Sequence, residues 1–335
     1  MSFLNNTKIA IIGGGSWATA LIKILCEQPN VQIRWWLRNQ DDINHIRQFH
    51  HNPSYLSDVH LSPKKIKVFE KTVDALKGAD YVILAVPAAF VQESLQGLSE
   101  KHLKGKRIVS AIKGMIPDQN MLITDWIAEK YNVDLKDTCV IAGPCHAEEV
   151  ALEKQSYLTI ASTECPAAED FAKLMTCRYV TANALDDLYG VEYAAVMKNI
   201  IALACGITHG LGYGDNFQAV LVSNAMQEIS RFVTALDPRG REISSSAYLG
   251  DLLVTSYSQF SRNRLFGNMI GRGYSVKAAQ LEMKMIAEGF YATKSIMEMN
   301  KTFHVNIPIT KAVYSILYEE QAPAHVMDEL KKVLK

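Results

Sequence analysis

The sequence predicts an α/β domain followed by an all-α domain, and three observations predict it. Short apolar runs alternate with helically spaced segments through the first half of the 335 residues. The first of those runs ends in a glycine-rich turn that opens a helix. After about residue 188 the strand signals fade and long helical patterns replace them. Strands separated by helices describe a largely parallel sheet covered on both faces. The expected domains are residues 1–188 and 189–335, meeting at a shared cleft, where ligands often bind.

In chain order, residues 8–12 form a compact apolar strand stopped by glycines, and 16–27 have helical spacing. A second strand is expected over 31–37 and a second helix over 41–49. DYVILAV, residues 80–86, is the most strand-like segment and is ended by Pro87. RIVSA (107–111), TCVIA (138–142), YLTIA (157–161) and residues 178–180 follow as strands. Helices are expected over 191–206, 216–235, 276–285, 293–300 and 310–318.

Composition narrows the function. Lys and Arg total 35, as do Asp and Glu, so nothing draws the whole chain toward nucleic acid or an anionic membrane. The cysteines at 26, 139, 145, 165, 177 and 205 form no C-x-x-C pair, which suggests a reducing compartment. The stretch before the first strand is too short for a secretion signal, and no uninterrupted apolar run spans a bilayer. A soluble, cytoplasmic protein is the expectation. The histidines show no H-E-x-x-H or similar spacing, so no metal is assigned.

IAIIGGGSWATAL places Gly13, Gly15 and Ala18 in a G-x-G-x-x-A frame between a strand and a helix. The first glycine permits the turn, the second lets a pyrophosphate approach the backbone, and the small third residue lets helix and strand pack closely. Helix-start N–H groups then meet the negative charge. Dinucleotide binding is therefore expected. The second strand ends in Arg38 and not in the carboxylate common at NAD sites. Arg38 could pair with a 2′-phosphate, which favours NADP(H) and leaves NAD(H) open; an ordinary surface arginine is the alternative.

Further cations stand at strand and helix ends. Lys113 follows a strand in SAIKGM, where open α/β sheets hold ligands, although loop lysines are common. In YLGDLLVTSYSQFSRNRLFG, Arg262 and Asn263 could bind phosphate or belong to a solvated loop. AGPCHAEEV, residues 142–150, offers Gly143 and backbone N–H groups to a phosphate or hydroxyl. Lys198 lies in GVEYAAVMKNIIALACG, a turn away from Ala194, Ala195, Ile201 and Ala202. Either it snorkels to the surface or a group outside this helix needs its charge.

The ordered motifs GGGSWATAL, VPAAF, SAIKGM, AGPCHAEE, VMKNIIALACGI, GYGDN, LGDLLVTSYSQFSRNRLFG and AEGF resemble those of the bacterial NAD(P)-dependent glycerol-3-phosphate dehydrogenases, from the first strand to about residue 318. The resemblance implies an N-terminal Rossmann domain and a C-terminal all-α domain like that of 6-phosphogluconate dehydrogenase. It implies reduction of dihydroxyacetone phosphate to sn-glycerol 3-phosphate for phospholipid synthesis, and a homodimer. Carried over residue by residue, it makes Lys198 the proton donor and acceptor, and Lys113 a contact to both cofactor and substrate. Gly143, Cys145, Asp251, Ser261, Arg262 and Asn263 become substrate contacts. Ser16, Trp17, Arg38, Ala147, Arg262, Ile286 and Glu288 become cofactor contacts. Two positions depart from the family pattern. Ala18 stands where glycine is usual, and Cys145-His146 replaces a hydroxyl residue and an apolar ring in the G-P-[ST]-F-A loop. A β-hydroxyacid or ketopantoate reductase, which needs a carboxylate site, and a non-catalytic dinucleotide sensor are the rival readings.

Overall fold

The computed structural model describes residues 6–283 and 287–335. The chain divides into two compact units, Met1–Ile112 with Ile123–Leu188, and Lys113–Leu122 with Tyr189–Lys335. The inclusion of Lys113–Leu122 in the second unit has no counterpart in the linear boundary drawn from sequence. That segment forms a small hairpin whose first residue is held by Asn199, which donates from Nδ2 to the Lys113 carbonyl at 2.7 Å.

Among the described residues ten strands occur in order: β1 (Thr7–Ile12), β2 (Val31–Trp36), β3 (Ile66–Phe69), β4 (Tyr81–Leu84), β5 (Arg107–Ser110), β6 (Met115–Ile116), β7 (Met121–Leu122), β8 (Thr138–Ala142), β9 (Ser156–Ala161) and β10 (Val180–Leu185). β6 and β7 make the hairpin; the other eight form one sheet ordered β10-β9-β8-β5-β4-β1-β2-β3. Ile9 of β1 pairs with Ile33 on one side and Tyr81 on the other, and Ile9–Ile12 is fully buried. A strand covered on both faces must be apolar throughout, as IAII is. The strand order reverses between β1 and β4, and in open α/β sheets the crevice at such a point, beyond the carboxyl ends of the strands, receives ligands.

Within the eight-stranded sheet the ladders between neighbours are parallel except β8 with β9. The chain returns from β8 through residues 143–155, which include the short helix Ala147–Ala151, and enters β9 in the opposite direction. Two strands read differently from their sequence. The strand expected at 178–180 runs over Val180–Leu185, an edge segment whose VTANAL is mostly half-buried and gives little apolar signal. β3 was not expected at all; it is a four-residue edge strand carrying a lysine.

In the second unit the 23-residue helix Leu188–Gly210 is the central element. It is long and apolar enough by composition to cross a bilayer, with a mean hydropathy of 1.4, although Glu192 and Lys198 keep it from being the uninterrupted apolar run whose absence was expected. Lys198 interrupts the run without lowering that average much, and the whole window is buried within the protein, as in a core helix. Around it stand helices Asp215–Leu236, Asp251–Tyr257, Arg262–Gly271, Val276–Glu282, Glu288–Phe303, Pro308–Tyr318 and Pro323–Leu330. The polar stretch from 251 to 271 is thus largely helical. Ser261 caps the second of its helices by accepting from the Arg264 N–H at 3.3 Å.

Glycines set how closely Arg262–Gly271 packs on Leu188–Gly210. A Cβ at Gly206 would lie 2.1 Å from the Arg264 carbonyl, and one at Gly267 2.2 Å from the Leu203 carbonyl. The two backbones therefore touch, and residues 264–271 of one helix are fixed against residues 203–210, the C-terminal end of the other.

Candidate active site

At the end of β1, Gly13 has φ +135° and a Cβ there would lie 2.3 Å from the Ala85 carbonyl at the end of β4. Only glycine fits. Gly15 differs: its φ of −81° suits any residue, and a Cβ would meet nothing within 4 Å. Neither the backbone nor the packing of this unit requires glycine there, so space is left for a group arriving from outside. Helix Ser16–Cys26 begins beside that space, with Ser16 and Ala18 buried and Trp17 half-buried.

Along the same carboxyl edge, Arg38 follows β2 and is largely exposed, 69% by side chain, with its guanidinium 4.0 Å from Glu93 and over the Phe90 ring at 5.5 Å. Gly143 follows β8 with φ +105°, and a Cβ would lie 2.9 Å from the Tyr157 carbonyl of β9. Its glycine is thus demanded by the sheet itself. Cys145 and Ala147 are buried, Cys145 within the hydrophobic core of the unit.

The second unit holds the charged centre. Lys198 does not snorkel: it is 2% exposed and donates to Asp251, itself 2% exposed. Lys113 Nζ lies 3.9 Å from the same Asp251 oxygen. Burial pulls the Lys198 ammonium down to about 7; Asp251 opposes this and Lys113 adds to it. Asp251 is delivered by a single π-helical turn, Ser246–Gly250, and Thr255 Oγ1 donates back to the Asp251 carbonyl at 2.7 Å.

An amide chain ties this centre to the next helices. The Gly289 N–H donates to Asn263 Oδ1 at 2.9 Å, Asn263 Nδ2 to Asn199 Oδ1 at 2.9 Å, and Asn199 Nδ2 to the Lys113 carbonyl. Asn263 is therefore mostly committed within the protein, with one N–H left for a ligand. Ser261, its oxygen in the cap, keeps its O–H as a donor. Arg262 is half-buried at the first position of its helix, and Glu288 opens helix Glu288–Phe303. Ile286 lies outside the described residues. Among the described residues, no group of three or more His, Cys, Asp or Glu gathers that could hold a metal ion.

The family model described as NAD-dependent glycerol-3-phosphate dehydrogenase N-terminus matches residues 8–168, and that described as the C-terminus matches residues 187–328. The chain belongs to the NAD-dependent glycerol-3-phosphate dehydrogenase family. It is 35% identical to the glycerol-3-phosphate dehydrogenase (NAD(P)+) of Shouchella clausii (strain KSM-K16), covering 96% of this chain and 95% of that one. It is 36% identical to the enzyme of the same name from Bacillus subtilis (strain 168), covering 96% and 93%. The crystal structure of glycerol-3-phosphate dehydrogenase from Coxiella burnetii superposes with a TM-score of 0.89 at 28% identity, covering 98% of this chain and 99% of that one.

In this member of the glycerol-3-phosphate dehydrogenase family, the first unit fits a dinucleotide: the room at Gly15 is what a pyrophosphate against the backbone needs. The structure also shows residues that the motifs passed over. Asn199 sits beside Lys198 in the sequence, and its only signal was being polar in an apolar helix. Trp35 and Asn52 gave no signal, because each donates to a carbonyl of the glycine turn from 22 or 38 residues further along the chain.

Proposed function

We propose that the chain catalyses the reversible reduction of dihydroxyacetone phosphate to sn-glycerol 3-phosphate, with Lys198 as proton donor and acceptor. One observation carries this reading: a nearly solvent-free ammonium, Lys198, paired with Asp251 and flanked by Lys113. When bound, the reduced nicotinamide supplies the hydride. As the carbonyl carbon accepts it, negative charge grows on the oxygen. Lys198 stabilises that charge and gives its proton, so the ketone becomes a secondary alcohol. In a site that excludes water the attraction is stronger than in bulk solvent. Asp251 holds Lys198 and offsets its burial. Lys113 adds positive charge facing the substrate.

The substrate phosphate is assigned to Arg262, with the remaining donors of Ser261 and Asn263 and the first N–H groups of helix Arg262–Gly271. Gly143 and Cys145 are assigned to the substrate as well. The turn Gly13–Ala18 would hold the pyrophosphate, and Arg38 a 2′-phosphate, so NADP(H) is favoured and NAD(H) remains a carrier. Ala147, Glu288 and Ile286 complete the assigned cofactor contacts. The product would supply glycerophospholipid synthesis in the cytoplasm, and the chain would act as a homodimer.

The test is oxidation of NADPH on adding dihydroxyacetone phosphate, repeated with NADH and with unphosphorylated dihydroxyacetone. Turnover with the phosphorylated ketone and little with the other is expected. Equal turnover of both would remove phosphate recognition from the site, and no turnover would overturn the activity.

A further inference from the structure

The glycine turn raises a physical difficulty. Gly13, Gly14 and Gly15 have no side chains, so their backbone is freer to rotate than that of other residues, although the Thr19 N–H already holds the Gly15 carbonyl at 3.0 Å as the first bond of the helix. A turn free to flip would present carbonyl oxygens to a phosphate as readily as N–H groups. Something must fix its polarity before a ligand arrives.

Three buried side chains do so. Trp35 donates from its indole N–H to the Gly13 carbonyl at 2.6 Å. Asn52 donates from Nδ2 to the Gly14 carbonyl at 3.0 Å. Thr19 donates from its hydroxyl to the Gly15 carbonyl at 3.1 Å. All three side chains are shielded from solvent, with 0% exposure. In a planar trans peptide the C=O and the following N–H point in opposite directions. Holding each of these carbonyls therefore aims the N–H group that follows it, of Gly14, Gly15 or Ser16, the opposite way.

Asn52 organises the set. Its second Nδ2 hydrogen goes to Thr19 Oγ1 at 2.9 Å, which leaves the Thr19 proton for Gly15. Its Oδ1 accepts from the N–H groups of Ser54 and Tyr55 at 3.0 and 3.2 Å. The carboxamide thus makes all four bonds it can make. A carboxylate could keep the two accepted bonds but would turn an acceptor toward two oxygens.

We infer that Asn52 is a positioning residue for the cofactor pyrophosphate, acting through the carbonyls of Gly14 and, by way of Thr19, Gly15. The inference rests on the dinucleotide reading of the first unit and deepens it. Preorganised N–H groups bind an anion without first reorienting, so the gain appears in cofactor affinity and not in the chemical step.

The test compares wild type with Asn52→Asp and Thr19→Val. Calorimetry with NADPH on the protein without substrate gives Kd. Steady-state kinetics give KM for each substrate and kcat at saturating NADPH. Circular dichroism reports the fold, and hydrogen exchange of the Gly14–Ser16 amides reports the turn. For Asn52→Asp, an NADPH Kd raised about 10–100-fold is expected, with kcat and the KM for dihydroxyacetone phosphate within about threefold and faster amide exchange at the turn. Thr19→Val, which removes one hydroxyl at nearly constant volume, should raise Kd about 3–10-fold, and it decides the matter if Asn52→Asp does not fold. A Kd within twofold of wild type in a folded variant overturns the inference. So does a loss shared equally by kcat and both KM values, which marks a merely structural role. A wild-type chain that binds NADPH but leaves dihydroxyacetone phosphate unreduced would sink the proposed activity while the binding arm still tests Asn52.

Discussion

Between Gly13 and Ala18 the chain carries no formal charge, whereas the centre around Lys198 joins a nearly solvent-free ammonium and carboxylate to the half-buried ammonium of Lys113. The first region offers an anion backbone N–H groups, whose partial charges do not titrate. The second offers side-chain charges whose values depend on one another and on pH. Backbone recognition needs local spacing and a few distant clamps on carbonyls. Side-chain chemistry needs charges from three chain segments, around residues 113, 198 and 251, brought to one point. The contrast suggests a division of labour: binding of the carrier should resist changes of pH and charge, while the chemical step should be sensitive to both.

Lys198→Met tests that contrast most severely. It removes the proton donor, and kcat should fall by about 10²–10⁴-fold, the usual contribution of general acid catalysis, or further where the ammonium also stabilises the oxyanion. Calorimetry should show an NADPH Kd close to wild type. Asp251 keeps Lys113 at 3.9 Å, so the variant retains a partner for its buried carboxylate and should fold. Near-normal turnover would show that the buried ammonium is not the donor.

A pH series sharpens the same comparison. Reduction needs Lys198 protonated, and burial has brought its pKa to about 7. The kcat/KM for dihydroxyacetone phosphate should be level below that pH and fall about tenfold per unit above it. Oxidation of glycerol 3-phosphate needs the neutral amine, so its kcat/KM should rise up to about pH 7 and then level. NADPH affinity, resting on the turn, should lack this break. Two limbs of the same sign would contradict a shared proton donor and acceptor.

What could be read from the sequence follows the same line. The turn was legible because its requirements are local: Gly13, Gly15 and Ala18 fall within six residues after an apolar strand. The change from strands to helices near residue 188 was legible for the same reason. Lys198 was visible only as an anomaly, an ammonium in an apolar helix, and its partner lies 53 residues away. Lys113 was marked by its place after a strand, but only the resemblance tied it and Asp251 to Lys198. The helices at 251–257 and 262–271 were hidden because their polar side chains cap, pair or face neighbours, and so mimic the composition of a loop. The clamps from Trp35 and Asn52 had no signature, since a donor to a remote carbonyl leaves no local pattern.

Asn199→Asp probes the support of the charged centre. It replaces the N–H that faces the Lys113 carbonyl with an oxygen and leaves the acceptor toward Asn263 in place. Lys113 should shift, and kcat/KM should fall about 10–100-fold, as small misplacements near a reacting centre do. An effect under twofold would show that Lys113 needs no such anchor.

At the turn, two glycines separate fold from function. Gly13→Ala meets both a left-handed φ and the Ala85 carbonyl, and should destabilise by roughly 2–4 kcal/mol in thermal or denaturant unfolding. Gly15→Ala meets neither obstacle, so its Tm should stay within about 2 °C of wild type while its NADPH Kd rises about tenfold. Equal Tm values for the two variants would erase the distinction between a glycine the sheet requires and one left open for a ligand.

The smallest effect is expected where the nucleotide region does use a side-chain charge. Arg38 is largely exposed and only 4.0 Å from Glu93, a pair worth about 0–1 kcal/mol at such a surface. So weak a tie does not hold the guanidinium back from a 2′-phosphate, which offers two charge-assisted hydrogen bonds. Arg38→Ala should raise the KM for NADPH about 5–10-fold and leave that for NADH within about twofold. Because the site is open to solvent, the NADPH advantage of wild type should shrink at about 0.5 M salt, where screening acts within a few ångströms. An unchanged ratio of the two KM values in the variant would make Arg38 an ordinary surface residue and leave cofactor preference to the backbone alone.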